Sequence, residues 1–281
     1  PFGYPAGTAA ALGLETTTDR PPWRAMWDEL AHLVRDDIDG RPNRSNRFEV
    51  AAVLNARLVA ASGTDPDGTT GPFWGCPVGQ RRTTLSTHKG VFPFPTAGGD
   101  VAEFRLAERA LQSRRLRPFS VWQTAYAGSV GSQALTAIPV LHELLTAPEL
   151  AGCVDVWPFT TGFGLEGEFA AHHPDRQSDQ PDRGRVVLVE IWPGAVHVPA
   201  ASPPGDPAAA LDGHPVKDAR QVMALCRWIA GHDAAGTLAD VCSRSFDRSS
   251  LGSSLGDQLP AVITEEGWVL WDPDDHPGLG S

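Results

Sequence analysis

The run from Val186 to Ile191, inside the stretch VVLVEIWPG, constrains the fold more than any other part of this chain. Five of its six residues are valine, leucine or isoleucine, polar and apolar positions do not alternate, and Trp-Pro-Gly ends the run. A short continuous apolar run of this kind is typical of a strand that is buried on both faces of a parallel sheet. We therefore predict a buried parallel strand here, with helices covering the sheet.

One carboxylate, Glu190, interrupts this apolar run. Burying a glutamate is costly unless it is paired, protonated or bound to a metal, so its position near the end of the strand requires a physical reason. In open α/β sheets, ligands bind beyond the carboxyl ends of the strands, where Glu190 would lie. A glutamate at a sheet edge that faces solvent or pairs with an arginine explains the pattern as well, and both interpretations stay open.

The rest of the chain alternates between apolar runs and helical periodicity, which favours an α/β layer fold with a mostly parallel sheet. Its 281 residues fit a single domain, with a long Gly-, Pro- and Thr-rich loop insertion at about 62–100. The strand predicted over 153–159 ends in Trp-Pro, as the Glu190 strand does, and carries Asp155. The other predicted elements are helices over 21–37, 47–61 and 101–112, a helix from about 130 through 145, a helix that opens at 217–218, and strands over 119–126 and 267–271.

The charge balance bears on the class of partner. Lys and Arg total 23 against 34 Asp and Glu, a formal net charge of -11, which argues against a general electrostatic grip on nucleic acid. A local basic patch stays open, because Arg41, Arg44 and Arg47 are clustered. No segment approaches the apolar length of a membrane helix, so we expect no membrane partner. Four widely spaced cysteines indicate reduced thiols and a cytoplasmic protein.

A glycine-containing turn follows the predicted strand 119–126 and precedes a helix. Free amides at a helix N-terminus bind anions, so this turn is a candidate site for a phosphate-containing small molecule. The G-x-x-G spacing lacks both a G-x-G-x-x-G motif and a P-loop lysine, and a tight turn with Ser132 capping the helix explains it equally well. The candidate binding residues are Gly128, Ser129, Gly131, Ser132 and Gln133.

Several stretches resemble a known family when they are taken together in this order. They are PFGYPAG at the start, the helix GSQALTAIPVLHEL, the strand VVLVEIWPG, and VKDARQVMALCRWIAG with EEGWVL near the end. They resemble a bacterial family of unknown function that is predicted to adopt a ribonuclease-H-like fold and to be nuclease-related. The resemblance covers most of the chain, apart from residues 62–100 and 166–184, and implies a layered α/β fold with a mostly parallel central sheet.

The resemblance also implies a metal site. In ribonuclease-H-like enzymes, carboxylates hold Mg²⁺ or Mn²⁺ while water attacks a phosphodiester. Glu190 matches the strand carboxylate and Asp218 the one at the late helix, with Asp155 as the most plausible reserve ligand. Lys217 would meet a phosphate or be a surface cation, and Asp218 alternatively caps its helix. The family's Asp immediately before the position of Pro1 is absent, so we expect an N-terminally incomplete domain whose catalysis is in doubt.

Three hypotheses remain open at this stage. The first is a metal-dependent phosphodiester hydrolase that acts on nucleic acid through Glu190 and Asp218. The second is a small-molecule enzyme or binding protein whose pocket is built from GPFWGCP, the turn at 128–133 and the Trp-Pro strand ends. The third is a non-catalytic scaffold of the same fold, in which Glu190 pairs with an arginine.

Overall fold

The computed structural model describes residues 1–36, 44–62, 71–80, 82–164, 185–195, 216–246 and 258–271. These residues form a mixed helix and sheet structure, which is compatible with the α/β class. The helices are α1 (Thr8–Ala11), α2 (Pro22–Leu33), α3 (Arg47–Ser62), α4 (Leu106–Ser113), α5 (Val130–Thr146), α6 (Lys217–Ala234), α7 (Leu238–Arg244) and α8 (Leu259–Ala261), the last continuing into a π-helical turn at Val262–Glu266. The strands are β1 (Val154–Val156) and β2 (Val186–Leu188).

The two strands pair in parallel, with Val154 opposite Val186 and Val156 opposite Leu188. This confirms a parallel strand in the VVLVEIWPG run. All three residues of β1 are buried, but β2 is exposed at its first residue and half-buried at the next two. Burial of that strand on both faces is therefore a wrong prediction: Val187 and Leu188 pack on opposite cores but stay half-buried, and Val186 is 46% exposed.

The long helices follow the periodicity of the sequence. Helix α2 begins with Pro22, whose missing amide costs nothing in the first turn of a helix. It buries a stripe that includes Trp23, Trp27 and Leu30, and it packs against α5. Helices α3, α5 and α6 lie where the apolar spacing predicts them, and α5 accommodates Pro139 in its interior.

Two predicted strands are not strands in the structure. Residues 119–126 form turns that are joined to the loop before them by bonds from the Trp74 amide to the Trp122 carbonyl (3.0 Å) and from the Thr124 amide to the Trp74 carbonyl (2.7 Å). Residues 267–271 run alongside the Glu190 segment, where the Leu270 amide donates to the Glu190 carbonyl over 2.8 Å without a ladder. The apolar side chains of both segments are buried by packing between loops. A short apolar pattern in the sequence does not distinguish such a loop from a strand.

The buried side chains form two clusters. The first core joins α1, α2, α3, α5 and β1 to residues 71–101, and the second core joins α4 and α7 to Trp157 and residues 262–270. Strand β2 lies between them, because Leu188 packs on the first core and Val187 on the second. The described part of the predicted loop insertion belongs to the first core through Phe73, Cys76, Leu85 and Phe94. No helix in these ranges is long and apolar enough to cross a membrane.

Candidate functional site

Glu190 lies just beyond β2 and is 8% exposed, so of the interpretations left open a solvent-facing carboxylate is wrong. Its partner is the fully buried guanidinium of Arg105. Arg105 Nη2 donates to Glu190 Oε1 over 2.6 Å and Nη1 donates to Oε2 over 2.9 Å. The Phe2 amide donates to the same Oε2 over 2.7 Å. Both oxygens of Glu190 are therefore engaged by protein groups.

Arg105 is satisfied on every side. Its Nε donates to both oxygens of Glu108 over 3.0 Å, Nη2 also reaches Glu108 Oε1, and Nη1 reaches the Glu266 carbonyl over 2.8 Å. A guanidinium has five N–H donors in a fixed planar fork, and acceptors surround all three of its nitrogens here. Glu108 also accepts from the Arg105 amide over 2.9 Å, so its side chain caps the N-terminus of its own helix, α4.

Two further carboxylates complete what we call the buried carboxylate network, namely Arg105, Glu108, Glu190, Glu265 and Glu266. Glu265 accepts from the amides of Gly7 (2.9 Å) and Ala9 (3.0 Å) at the start of α1. Glu266 accepts from Ala6 (2.8 Å) and from Leu106 (2.7 Å), the first residue of α4. The first amides of a helix have no partner within it, so these two side chains cap α1 and α4 from a distance in sequence.

The carboxylates of the network differ in the direction in which their pKa values are shifted. Burial alone raises the pKa of Glu190, but the positive charge of Arg105, with its hydrogen bonds and that of the Phe2 amide, lowers this pKa to about 2. Burial raises the pKa of Glu265 and of Glu266 above the ordinary value, although the backbone amides that they accept oppose the shift. Glu190 is thus the permanently ionised partner of Arg105 at neutral pH.

The residues predicted to bind Mg²⁺ or Mn²⁺ have different surroundings. Asp155 is buried on β1, where its Oδ2 accepts from Arg185 Nε (2.7 Å) and its Oδ1 from the Thr160 hydroxyl (3.0 Å). Lys217 and Asp218 are exposed in the first turn of α6. The N-cap of α6 is Val216, so the predicted cap at Asp218 is wrong. No group of three or more His, Cys, Asp or Glu residues suited to a metal occurs in the described ranges, and the metal site stays a prediction.

The turn at 128–133 is held by the segment before it. The Gly131 amide donates to the Gln123 carbonyl (2.8 Å) and the Val130 amide to the Gly128 carbonyl (2.7 Å), so two early amides of α5 already have acceptors. The Ser132 hydroxyl donates to the Thr124 carbonyl, and the N-cap is Ser129, so Ser132 does not cap the helix. A Cβ at Gly131 would lie 2.4 Å from the Val121 carbonyl oxygen, which explains the glycine by close packing.

A cavity of about 420 Å³ lies beside this turn, and we call it the α3–α5 cavity. Three of the predicted binding residues, Ser129, Ser132 and Gln133, line it, whereas Gly128 and Gly131 are not in its wall. Pro77, the last residue of the GPFWGCP stretch, also lines the cavity, whereas the Trp-Pro strand ends are not in its wall. The complete lining is Asp36, Arg47, Phe48, Pro77, Gln80, Thr124, Ala125, Tyr126, Ser129, Ser132, Gln133 and Thr136.

Arg47, the first residue of α3, supplies the positive charge in this wall. Its Nη1 donates to the Ser45 hydroxyl over 2.8 Å, and its guanidinium carbon lies 4.7 Å from the centre of the Phe48 ring. Its Nε is buried and has no hydrogen-bond partner within the described structure. A cation at a helix N-terminus also opposes the helix dipole. The Arg41, Arg44 and Arg47 cluster was the only sequence signal for this residue, and it does not separate Arg47 from its neighbours.

Comparisons with known proteins found no match to this chain among protein-family models, curated proteins or solved structures.

Proposed function

We propose that this chain binds a small anionic molecule in the α3–α5 cavity, with Arg47 as the main contact of the anion. The observation that carries this proposal is Arg47, the one cation among the residues that line the cavity, which has no ion-pair partner in the described structure. A hydrogen bond to a charged group contributes about 1.5–3 kcal/mol, so a ligand oxygen that reaches the Arg47 guanidinium would be bound with a substantial gain.

The remaining contacts of Arg47 restrict how an anion would approach. Ser45 accepts one proton of Nη1 and Nε is buried, which leaves the edge formed by the two terminal nitrogens, Nη1 and Nη2. Two parallel hydrogen bonds from one edge of a guanidinium match the spacing of oxygens in a carboxylate or a phosphate. This geometry favours a compact oxyanion and gives arginine an advantage over lysine at this position.

Size and charge support a small ligand over a long polyanion. The volume of about 420 Å³ is in the range of small-molecule sites. Asp36, an exposed carboxylate in the same wall, and the net charge of -11 both repel a polyanion such as nucleic acid. A ligand with one anionic group satisfies Arg47 without a large repulsion from Asp36.

The test is calorimetric titration of the protein with inorganic phosphate. We expect saturable binding that Arg47→Gln weakens at least tenfold and Arg47→Lys weakens less. Arg109→Gln is the matched control, because Arg109 is an exposed arginine on α4 and lies outside the cavity wall. Equal affinities of the wild type and Arg47→Gln would contradict the proposal.

The metal-dependent nuclease of ribonuclease-H-like fold stays a second hypothesis. What supports it is the parallel pairing of β1 and β2, since Asp155 is on the first and Glu190 follows the second. What opposes it is that Arg105 and Arg185 already bind these carboxylates. Calorimetry with Mn²⁺ on the wild type, Glu190→Gln and Asp218→Asn tests it: binding abolished by either substitution would favour the nuclease.

A further inference from the structure

Three hydroxyl groups in the α3–α5 cavity have their protons committed to the backbone. Thr124 donates to the Trp74 carbonyl (2.9 Å), Thr136 to the Ser132 carbonyl (3.0 Å), and Ser132 to the Thr124 carbonyl. A hydroxyl has one proton and two lone pairs, so each of these oxygens can only accept from a ligand. This part of the wall therefore suits a ligand that carries O–H or N–H donors of its own.

Asp36 adds a second kind of acceptor to the same wall. Its carboxylate is exposed and has no hydrogen bond or ion pair in the described structure. An ionised carboxylate accepts and does not donate. The cavity thus combines one cation for an oxyanion with four side chains whose oxygens accept from ligand donors.

Tyr126 supplies an aromatic surface at the cavity. Its side chain is 59% exposed, and its backbone has a φ of 71°, in the left-handed region that bulky residues seldom adopt. Such conformations persist only where the surrounding structure holds them, and they occur preferentially at binding sites. An exposed ring in the wall of a polar cavity can cover the apolar face of a ring-shaped ligand whose edges form hydrogen bonds.

We infer that the ligand is a hydroxylated, ring-forming anion of the sugar-phosphate class. Arg47 binds its phosphate, the oxygens of Thr124, Ser132 and Thr136 accept from its hydroxyl groups, and the Tyr126 ring covers one face of the sugar. This inference rests on the proposed function, because it specifies the ligand of the same cavity. It also adds a role for Tyr126 that binding of an anion alone does not require.

The experiment is calorimetry with three probes on the same protein: ribose 5-phosphate, inorganic phosphate and ribose. We expect ribose 5-phosphate to bind at least tenfold more tightly than inorganic phosphate, and ribose to bind more weakly than either. If phosphate and ribose 5-phosphate bind equally, the inference is overturned while the proposed function stands. If none of the three binds, the proposed function fails and this inference with it.

Two variants separate recognition of the sugar from the stability of the fold. Thr136→Val removes one acceptor and keeps the shape of the side chain. Tyr126→Gly removes the ring at a position where glycine suits the backbone. Relief of the positive φ offsets the larger entropy of the unfolded chain, so the melting temperature should stay close to that of the wild type. Each variant should reduce the advantage of ribose 5-phosphate over phosphate at least threefold. An undiminished advantage in both variants would overturn the assignment of these residues.

Discussion

Arg105 is the residue on which the buried carboxylate network depends. It is fully buried and pairs with Glu108 and Glu190, while its Nη1 also binds the Glu266 carbonyl. Removing one member of a buried ion pair costs about 3–5 kcal/mol, because the other charge is left without compensation. Glu190 therefore shares with Glu108 the neutralisation of a charge that the fold has buried.

We predict that Glu190→Gln lowers the free energy of unfolding by about 2–3 kcal/mol at pH 7, because Arg105 keeps Glu108 as its ion-pair partner but loses the charge of Glu190 as an acceptor. Urea denaturation monitored by tryptophan fluorescence measures the change. Glu149→Gln is the control: Glu149 is exposed, and its substitution should change stability by no more than about 0.5 kcal/mol. Equal stabilities of the two variants would contradict the role given to Glu190.

The pKa of Glu190 predicts how the contribution of this residue changes with pH. Its folded pKa of about 2 lies below its ordinary value of 4.5, so its stabilisation is complete above pH 4.5 and is lost as the pH falls towards 2. The shift corresponds to roughly 3 kcal/mol. Glu265 and Glu266 have raised pKa values, and they act in the opposite sense because protonation favours the folded state.

The measurement is the stability gap between the wild type and Glu190→Gln, followed from pH 7 to pH 3. Because the other groups titrate in both proteins, the gap isolates Glu190. It should stay constant down to about pH 5 and then narrow. A gap that is independent of pH over this range would mean that ionisation of Glu190 does not stabilise the fold.

Sequence reasoning locates Glu190 but not its partner. A single carboxylate within an apolar run predicts burial, and burial demands compensation. Arg105 is 85 positions away and directly precedes a helix, so no local pattern distinguishes it from the other arginines. For the same reason the sequence could not separate an arginine partner from a metal ion. Arg47 likewise becomes recognisable only when the cavity around it is known.

At the scale of elements, residues 1–9 form a loop and a short helix that dock on the Glu265–Glu266 turn. The carboxylates of this turn bind the amides of Ala6, Gly7 and Ala9. Gly3 lies so close that a Cβ would be 2.4 Å from the carbonyl oxygens of both glutamates. The PFGYPAG and EEGWVL stretches are therefore complementary surfaces, one of them requiring glycine.

We predict that Gly3→Ala destabilises the protein by about 1–3 kcal/mol, since the methyl group would collide with a backbone that is fixed by the network. Gly231→Ala is the matched control. Gly231 lies inside α6 with nothing within 4 Å of an added Cβ, so alanine there should stabilise by about 0.5–1 kcal/mol. Thermal melts of both variants test this prediction. If the melting temperature shifts in the same direction in both variants, the packing explanation is refuted.

Elements with a sustained helical period are the ones that the sequence predicts. Helix α2 is recognisable because Trp23, Trp27 and Leu30 recur on one face. The segment 119–126 misleads because Val121 and Trp122 are apolar and buried, yet they are buried by turns. A strand is defined by its neighbours, and a single sequence does not contain that information for short apolar segments.

At the scale of the whole molecule, the buried carboxylate network connects the two cores. Tyr4 belongs to the first core, and Phe2, two residues earlier, donates its amide to Glu190 in the network. Leu106 belongs to the second core and directly follows Arg105 in the sequence. Polar bonds thus link the two apolar clusters that β2 also contacts. If either core loses its packing, residues of the network lose hydrogen-bond partners, and charges that lie beside the other core are left buried without compensation.

We therefore predict one cooperative unfolding transition, because neither core can open without exposing or stranding the network. Tryptophans lie in both cores, with Trp27 and Trp122 in the first and Trp157 and Trp268 in the second. Urea curves recorded by fluorescence and by far-UV circular dichroism should superimpose. Two separated midpoints would show that the cores unfold independently.

The pairing of residues 6–9 with 265–266 has a consequence for how a ribosome delivers this chain. Ala6 and Glu266 are 260 positions apart. At elongation rates of about 5–20 residues per second, roughly 13–50 s pass between the synthesis of the two partners. During that interval the amides of Ala6, Gly7 and Ala9 lack the carboxylates that they bind in the native structure, although Tyr4 can already pack on Phe73 and Trp122. The contact between residues 6–9 and 265–266 therefore forms only after both segments have been synthesised, however early the helices between them form.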